Sequence, residues 1–270
     1  MKVIALDLDG TLLNKKKEIS FSNQERIQKL RKQGVKVVLA SGRSATAMRY
    51  YYNQLGLDEP MVCCNGGFVV DPITEKVIAS RPIKREDLET AAELLRQEDA
   101  YYLVYTATTL WMSSIQFSMD QWVFRNRKLA PEDQVDIKIR EDLESLFDEE
   151  PIYKLFVFCV NEEEKQGRIQ LLRKLPGLEV SDSLPGAIDL MRKGVTKADG
   201  LKDIADYYGI SMSEIAFMGD HNNDVEALKQ AGLGVAMGNA TEAARNAADW
   251  LTDDHDEDGV KTALDRLFGV

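Results

Sequence analysis

The sequence predicts an α/β protein in which helices cover both faces of a parallel sheet. At both ends of the 270-residue chain, short and nearly continuous apolar runs alternate with amphipathic segments. This is the order expected of parallel strands joined by helical crossovers. The middle of the chain breaks the alternation, because strand-like runs follow one another there. We therefore expect a parallel-sheet domain that is split in sequence by an α+β insertion.

The N-terminal segment is expected to form a strand–helix–strand unit. The apolar run Val3-Ile4-Ala5 begins the first strand. Ser22-Asn23-Gln24-Glu25 has the spacing of a capping box, which predicts that a helix starts at Ser22. Ile27 continues the apolar face of that helix, and Gly34 provides its stop. The β-branched run at 35–40 is then the second strand.

The C-terminal third repeats this alternation. Its first helix has apolar residues at i, i+3, i+4 and i+7, namely Leu201, Ile204, Ala205 and Tyr208, and Gly209 closes it. The elements expected after it are strands at 215–220, 234–238 and 249–252 and helices at 224–232, 241–248 and near 260–268. The C-terminal third therefore adds further strands to the same parallel sheet.

The middle section, 83–187, has the pattern of an α+β module. We expect helices at 85–97 and 162–175 and strands at 101–107, 109–114, 151–160, 178–182 and 187–191. The first two of these strands are close enough to form a hairpin. The polar, mixed sequence that follows them, up to Glu150, is assigned no element.

Composition argues against several classes of partner. No apolar stretch approaches the roughly 20 residues of a membrane helix, and Asp7 interrupts the N-terminal apolar run too early for a signal peptide. We therefore expect a cytoplasmic protein without a membrane partner. Acidic residues outnumber basic ones 45 to 34, for a formal charge of −11, which argues against nucleic acid as a partner. A small anionic substrate is compatible with this charge, because the local field at a site can oppose the net charge.

The three cysteines are expected to be reduced. Cys63, Cys64 and Cys159 lie in apolar runs and have no C-x-x-C spacing. This placement is typical of buried thiols rather than of disulfides or metal ligands.

Polar residues follow three of the predicted strands at the point where each strand ends. Asp7 and Asp9 end the first strand, Ser41-Gly42 follows the second, and Gly219-Asp220 follows a C-terminal strand. Ligands of open parallel sheets bind at this edge, and residues two apart in a strand point the same way. Helix caps and turns would explain any one of these residues, but they explain poorly why Asp7 is charged at the tail of an apolar strand.

Three common binding motifs fit the sequence badly. Asp220–Asp224 approaches a calcium loop, but Val225 stands in place of the glycine and Ala231 in place of the closing glutamate. A calcium loop around Asp7 is also excluded, because its glycine, Gly10, comes too early in the pattern. The glycines at 232–238 imitate a dinucleotide fingerprint whose last gap is one residue too long. A P-loop pattern is missing from the sequence altogether.

The chain resembles the haloacid dehalogenase superfamily. Its four motifs occur in order as Asp7-Leu8-Asp9-Gly10-Thr11, Ser41-Gly42-Arg43, Lys197 in GVTKADGL, and Gly219-Asp220-His221-Asn222-Asn223-Asp224. Asn65-Gly66-Gly67 and the GVAMGNA stretch extend the match. The position of the insertion is similar to that of the Cof-type sugar phosphatases, which carry a large α+β cap. This resemblance implies a Rossmann-like three-layer α/β/α core at 1–82 and 188–270 and a C2-type cap at 83–187.

The resemblance also implies a chemical role for each acidic residue. Asp7 would be the nucleophile that forms an aspartyl-phosphate, and Asp9 the general acid and base, with a pKa near the working pH. Mg²⁺ would be held by the side chains of Asp7 and Asp220 and by the backbone carbonyl of Asp9. Asp224 would orient the metal shell or Lys197.

The same resemblance implies a set of phosphate-binding groups. The backbone amides near Leu8, together with Ser41 and Gly42, would cradle the phosphoryl oxygens. Lys197 opens a helix and would bring both its ammonium and the helix N-terminus to the anion. Asn223 would contact the phosphoryl region.

Some residues have two readings. Lys193 and Lys197 are both candidates for the lysine of the site, and Lys197 is favoured because it opens the amphipathic helix. His221 is expected to be peripheral, and His255 to be a solvated loop residue. Arg43 either contacts substrate or serves as a structural ion-pair partner, and the sequence does not decide between these roles.

The expected function is that of a Mg²⁺-dependent phosphatase acting on small phosphorylated metabolites such as sugar phosphates. A phosphohexomutase and a non-catalytic regulator that binds a phosphorylated metabolite are the alternatives. The cap residues that choose the substrate are not identifiable from pattern. The oligomeric state is open, and a monomer is compatible with the sequence.

Overall fold

The computed structural model describes residues 1–117, 119–184 and 186–269. The strands of these residues are β1 (Val3–Leu6), β2 (Lys36–Leu39), β3 (Met61–Cys63), β4 (Phe68–Asp71), β5 (Lys76–Ser80), β6 (Tyr102–Tyr105), β7 (Thr109–Met112), β8 (Asp136–Ile139), β9 (Lys154–Phe158), β10 (Leu178–Leu184), β11 (Ala187–Arg192), β12 (Ile215–Gly219), β13 (Leu233–Ala236) and β14 (Trp250–Leu251). The α-helices are α1 (Phe21–Lys32), α2 (Ala45–Gln54), α3 (Arg85–Gln97), α4 (Met119–Asn126), α5 (Leu146–Glu149), α6 (Glu162–Leu172), α7 (Lys197–Tyr208), α8 (Val225–Gln230), α9 (Glu242–Ala247) and α10 (Gly259–Phe268). Short 3-10 turns lie at Cys64–Gly66, Pro131–Asp133, Met212–Glu214, Asn222–Asp224 and His255–Glu257.

The chain forms two compact units. The first, which we call the core unit, comprises Met1–Arg43, Tyr51–Ser80 and Thr196–Val270. The second, the insert unit, comprises Ser44–Tyr50 and Arg81–Val195. The predicted insertion lies within the second unit, and its exact domain boundaries stay a prediction.

The core unit is built on a parallel sheet with the order β14-β13-β12-β1-β2. Strand β1 pairs with both β12 and β2, and Leu6 lies opposite Met218 on one side and Leu39 on the other. The three strands therefore end at the same level, and the chain segments that follow them emerge side by side. The prediction of an α/β fold with a parallel-sheet core is confirmed.

Both faces of this sheet are buried. Val3 and Ala5 pack in one apolar core with residues of α7 and α8. Ile4 and Leu6 alternate with them, so they point to the opposite face, and they are also fully buried. Burial on both faces explains why the strands read as continuous apolar runs rather than as alternating ones.

Helix α1 begins earlier than the sequence predicts. Its N-cap is Ser20, whose hydroxyl oxygen accepts a 3.1 Å hydrogen bond from the Asn23 backbone N–H. The predicted start at Ser22 is therefore wrong by two residues, although Gly34 follows the end of the helix as expected. Ser20 also donates to Asp258, a contact between distant segments that no local pattern reveals.

A second, antiparallel sheet of the core unit has the order β3-β4-β5. The short 3-10 turn after β3 contains Asn65, a non-glycine residue with φ +53°. This turn brings the Asn65 side chain to the candidate site described below.

The insert unit contains a six-stranded sheet with the order β10-β11-β9-β6-β7-β8. Its neighbours pair in antiparallel fashion except β7 and β8, which are parallel. One face packs on α3 and α6 through apolar side chains such as Leu95, Val157 and Ile169. The predicted α+β character of the insertion is thus present. The segment that was assigned no element forms α4, β8 and α5. These elements were not predicted because partly exposed elements carry a weak apolar pattern.

The cysteines agree with their predicted state. Cys63, Cys64 and Cys159 are buried thiols, and burial raises the pKa of Cys63 well above its ordinary value. Among the described residues, no helix has both the length and the apolar character needed to cross a membrane.

Candidate active site

The site lies in the core unit, where β1, β2 and β12 end. Asp7 directly follows β1, Ser41 lies two residues beyond β2, and Asp220 directly follows β12. Because these strands are neighbours in register, the predicted convergence of their ends is present in the structure. Asp7, Ser41 and Asp220 are all buried, with 8% exposure or less.

Lys197 joins two of the site carboxylates. It is the first residue of α7, and its Nζ donates to Asp7 Oδ1 at 2.7 Å and to Asp224 Oδ1 at 2.6 Å. Burial lowers the pKa of Lys197, but Asp224 and Asp7 outweigh burial and raise that pKa above its ordinary value. Lys197 is therefore a fully buried, charged ammonium, whereas Lys193 is exposed.

Asp224 fixes this arrangement rather than facing solvent. Its second oxygen, Oδ2, accepts hydrogen bonds from the backbone N–H groups of Asp220 at 2.9 Å and His221 at 3.0 Å. Its two oxygens therefore hold the Lys197 ammonium and the turn after β12 at the same time. His221 takes part in this arrangement through its backbone N–H.

The acidic cluster suits a divalent cation. Oxygens of Asp7, Asp220 and Asp224 all lie within 4.8 Å of one another. Three carboxylates and the single Lys197 ammonium leave two negative charges when all groups are ionised. Carboxylate oxygens are the ligands that Mg²⁺ prefers. Asp224 Oδ1 pairs with the Lys197 ammonium and its Oδ2 accepts from two backbone N–H groups, whereas Asp220 accepts from the neutral side chains of Thr11 and Asn239. Asp7 and Asp220 are therefore the residues better suited to hold the ion.

Burial and the neighbouring carboxylates both raise the pKa values of these carboxyl groups. Burial raises the pKa of Asp7 well above its ordinary value, and Asp224 and Asp220 add to this effect against Lys197. Burial and then Asp224 raise the pKa of Asp220 to about 6. A cation bound between these groups would favour their ionised forms. The donor set therefore fits a bound Mg²⁺.

Asp9 differs from what the sequence predicts. Its carboxylate accepts hydrogen bonds from Arg43 Nε at 2.7 Å, from Arg43 Nη2 at 2.8 Å and from Lys17 Nζ at 2.7 Å. Burial alone would raise the pKa of Asp9, but Arg43 and Lys17 outweigh burial and hold this pKa well below its usual range. In this arrangement the pKa of Asp9 lies below the value near the working pH that its expected proton role requires. Of the two roles considered for Arg43, the ion pair with Asp9 is present in the structure, and a contact with substrate stays a prediction.

The predicted phosphate-binding residues are grouped around the same strand ends. Leu8 and Ser41 are buried, and Asn223 Nδ2 donates to Asn65 Oδ1 at 2.9 Å. A Cβ added to Gly42 would lie 3.1 Å from Asn65 Nδ2, so Asn65 links the Gly42 and Asn223 segments. The role of these groups in binding phosphate stays a prediction.

Three residues of the site have contacts that the sequence analysis did not anticipate. Thr11 Oγ1 donates to Asp220 Oδ1 at 2.9 Å, and Asn239 Nδ2 lies 3.3 Å from Asp220 Oδ2. His255 was expected to be a solvated loop residue, but its side chain is 12% exposed and its Nδ1 lies 2.8 Å from the Leu13 carbonyl oxygen. The GVAMGNA stretch contains Asn239 and was the available signal for it, whereas His255 had none.

Comparisons with known proteins agree on one family. A family model described as haloacid dehalogenase-like hydrolase matches residues 4–264. The chain is 29% identical over 265 residues to the 5-amino-6-(5-phospho-D-ribitylamino)uracil phosphatase YcsE of Bacillus subtilis, covering 98% of this chain and 94% of that protein. It is 28% identical over 260 residues to the pyridoxal phosphate phosphatase YbhA of Escherichia coli, covering 96% of each. A crystal structure of a haloacid dehalogenase-like hydrolase from Bacteroides thetaiotaomicron superposes with a TM-score of 0.84 at 29% identity, covering 99% of both chains.

Proposed function

This chain belongs to the haloacid dehalogenase-like hydrolases, and on that premise we propose that it is a Mg²⁺-dependent phosphatase of small phosphorylated metabolites that works through an aspartyl-phosphate on Asp7. One observation carries the proposal. Asp7 is bound by the buried Lys197 ammonium and clustered with Asp220 and Asp224 at the ends of the parallel strands. This is the charge arrangement that a carboxylate nucleophile and a phosphoryl group require.

Asp7 is oriented for attack by its contact with Lys197. Lys197 holds Oδ1, and within the described part of the chain Oδ2 accepts no hydrogen bond, so Oδ2 is the oxygen available to form a bond to phosphorus. A carboxylate and a phosphate monoester repel each other by about 4 kcal/mol per pair of unit charges at 4 Å and intermediate dielectric. Lys197 offsets part of this repulsion. Bound Mg²⁺ would supply the remaining positive charge and polarise the phosphoryl oxygens.

The first chemical step forms a bond between Asp7 Oδ2 and phosphorus and breaks the ester P–O bond. The departing alkoxide takes its proton from the carboxyl group of Asp9. In the second step, water attacks the phosphorus of the aspartyl-phosphate, the Asp9 carboxylate accepts a water proton, and Asp7 is released as a carboxylate together with inorganic phosphate.

Asp9 must first leave the ion pairs in which the structure holds it. While Arg43 and Lys17 bind its carboxylate, the ionised form is favoured and no proton is available for the leaving group. We therefore propose that substrate binding draws Arg43 or Lys17 away from Asp9, which raises the pKa of Asp9. A phosphate dianion that enters the site competes for the same two cations.

The substrate class follows from phosphate monoester chemistry and from the names of the relatives. YcsE and YbhA are named as phosphatases of a ribitylaminouracil phosphate and of pyridoxal phosphate, so both act on organic phosphate monoesters. We propose the same broad class for this chain, including sugar phosphates.

The test is phosphate release from a panel of phosphorylated metabolites and p-nitrophenyl phosphate, with Mg²⁺ or EDTA. We expect Mg²⁺-dependent release that Asp7→Asn abolishes and that Asp206→Asn, on the exposed side of α7, leaves unchanged. Phosphate release that survives Asp7→Asn would overturn the assignment of Asp7 as the nucleophile. Transfer of phosphate between positions of a hexose without net release would instead indicate a mutase, and metabolite binding without turnover a regulator.

A further inference from the structure

A single amide side chain connects three segments of the candidate site. Asn239 follows β13, and its Nδ2 donates to the Gly10 carbonyl oxygen at 2.8 Å and to Asp220 Oδ2 at 3.3 Å. Its Oδ1 accepts a 3.1 Å hydrogen bond from the His255 backbone N–H. Asn239 therefore uses both ends of its amide to join the segments that follow β1, β12 and β14.

The segments that Asn239 joins are in close approach. Gly10 has φ +85°, and a Cβ at this position would lie 2.3 Å from Asp220 Oδ2. Any side chain at position 10 would therefore displace Asp220. Thr11 binds the other oxygen of Asp220, at 2.9 Å. The Asp220 carboxylate is thus held on one oxygen by Thr11 and on the other by Asn239.

His255 binds Asn239 through its backbone N–H and contacts the loop after β1 through its side chain. Its Nδ1 lies 2.8 Å from the Leu13 carbonyl oxygen, and because a carbonyl only accepts, Nδ1 carries the proton in this contact. His255 opens a 3-10 turn whose N-cap is Asp254. Asn239 and His255 therefore bind the loop after β1 at two points, the carbonyl oxygens of Gly10 and Leu13.

We propose that Asn239, supported by His255, is a positioning residue that sets the distance between the Asp220 carboxylate and the loop carrying Asp7 and Asp9, and so sets the affinity of the site for a divalent cation. The proposal rests on the proposed function, because it takes Asp7 and Asp220 as the residues that hold the cation. Asn239 acts through Asp220 and the Gly10 carbonyl and needs no contact with the substrate.

The test measures Mn²⁺ binding to the substrate-free full-length protein by electron paramagnetic resonance. Residues that orient metal ligands typically contribute 10- to 100-fold to metal affinity, so we expect Asn239→Ala to weaken Mn²⁺ binding about tenfold. The matched control is Asn246→Ala, an exposed residue of α9, which should leave the affinity unchanged. The Mg²⁺ concentration for half-maximal phosphatase activity should rise by a similar factor in Asn239→Ala, while kcat at saturating Mg²⁺ stays within about threefold of the native value.

A second pair of variants separates positioning from general loosening of the fold. His255→Ala removes the ring contact with Leu13 but keeps the backbone N–H that binds Asn239, so its loss of Mn²⁺ affinity should be smaller than that of Asn239→Ala. His255→Asn keeps an N–H donor near the Nδ1 position and should restore most of the affinity. If Asn239→Ala does not fold, Asn239→Ser is the replacement variant, because its hydroxyl is too short to reach the Gly10 carbonyl.

The outcomes distinguish this inference from the proposed function. A loss of Mn²⁺ affinity below about threefold in Asn239→Ala, with tight binding by the native protein, overturns the positioning role alone. A native protein that binds Mn²⁺ but releases no phosphate overturns the phosphatase proposal, while the effect of Asn239 on affinity still decides the inference. A native protein that binds no Mn²⁺ overturns both.

Discussion

Lys197 and Asp224 form an ion pair from which solvent is completely excluded. Lys197 Nζ lies 2.6 Å from Asp224 Oδ1, and both side chains are 0% exposed. The same ammonium lies 2.7 Å from Asp7 Oδ1. Lys197 is therefore the positive charge that compensates two buried carboxylates, and this explains why a lysine is tolerated with no exposure to water.

Removal of Lys197 should destabilise the protein as well as stop catalysis. Lys197→Met leaves the charges of Asp7 and Asp224 buried without their cationic partner, a change that typically costs about 3–5 kcal/mol. We expect a loss of this size in the free energy of unfolding at pH 8, measured by urea titration. Lys202→Met is the control, because Lys202 is half exposed and lies 3.6 Å from Asp199. Equal stability of the two variants would contradict the buried pair.

The metal-free protein should become more stable as the pH falls through the range near 6. Burial raises the pKa of Asp220 to about 6 and that of Asp7 well above its ordinary value. A raised folded-state pKa means that the folded protein binds protons more tightly than the unfolded chain. The stabilisation is therefore complete below the unfolded pKa, near 3.8, and is lost as the pH rises through the folded pKa.

Thermal unfolding in EDTA and in Mg²⁺ would check this dependence. We expect the rise in melting temperature caused by Mg²⁺ to be larger at pH 7.5 than at pH 5, because at pH 5 protons compete with the cation for Asp7 and Asp220. Asp220→Asn should weaken both the pH dependence in EDTA and the effect of Mg²⁺. A Mg²⁺ effect that is the same at both pH values would contradict the assignment.

Strand ends could be read from the sequence because the information is local. The apolar run before Asp7 and the polar residues Ser41 and Asp220 mark where strands stop, and sheet register then brings these strand ends together. The contacts of Asn239 and His255 could not be read in this way. Asn239 binds the Gly10 carbonyl, 229 positions away in the chain, and an amide–carbonyl contact at that separation leaves no periodic or spacing signal.

The start of α1 shows the same limit at the level of one helix. Ser20 and Ser22 both fit the preference for a small hydroxyl residue at an N-cap, but it is Ser20 that accepts the Asn23 N–H and reaches Asp258. Ser20→Ala should lower the free energy of unfolding by about 1 kcal/mol, the usual value of an N-cap. Ser22→Ala should leave it unchanged to within about 0.5 kcal/mol. Urea titration of both variants checks the cap, and a larger effect at Ser22 would restore the sequence-based start.

The proton role of Asp9 should depend on Lys17. Lys17 donates to Asp9 Oδ1 at 2.7 Å and helps to hold the pKa of Asp9 well below its usual range. Lys17→Ala removes one cation from the carboxylate, so the pKa of Asp9 should rise. Because Asp9 must be protonated in the enzyme–substrate complex to serve the leaving group, the alkaline limb of the pH profile of kcat should then move to higher pH.

The neighbouring Lys16 provides the control for this change. Its side chain is exposed and its backbone N–H donates to Asn14 Oδ1 at 2.9 Å, so Lys16→Ala should leave the profile in place. A leaving group that needs no proton, such as p-nitrophenolate, should make the alkaline limb insensitive to Lys17, whereas an alkyl phosphate should reveal the shift. An alkaline limb that stays fixed for the alkyl phosphate in Lys17→Ala would contradict control of the Asp9 proton by Lys17, because losing a cationic partner that stays in place raises the pKa of a carboxyl group.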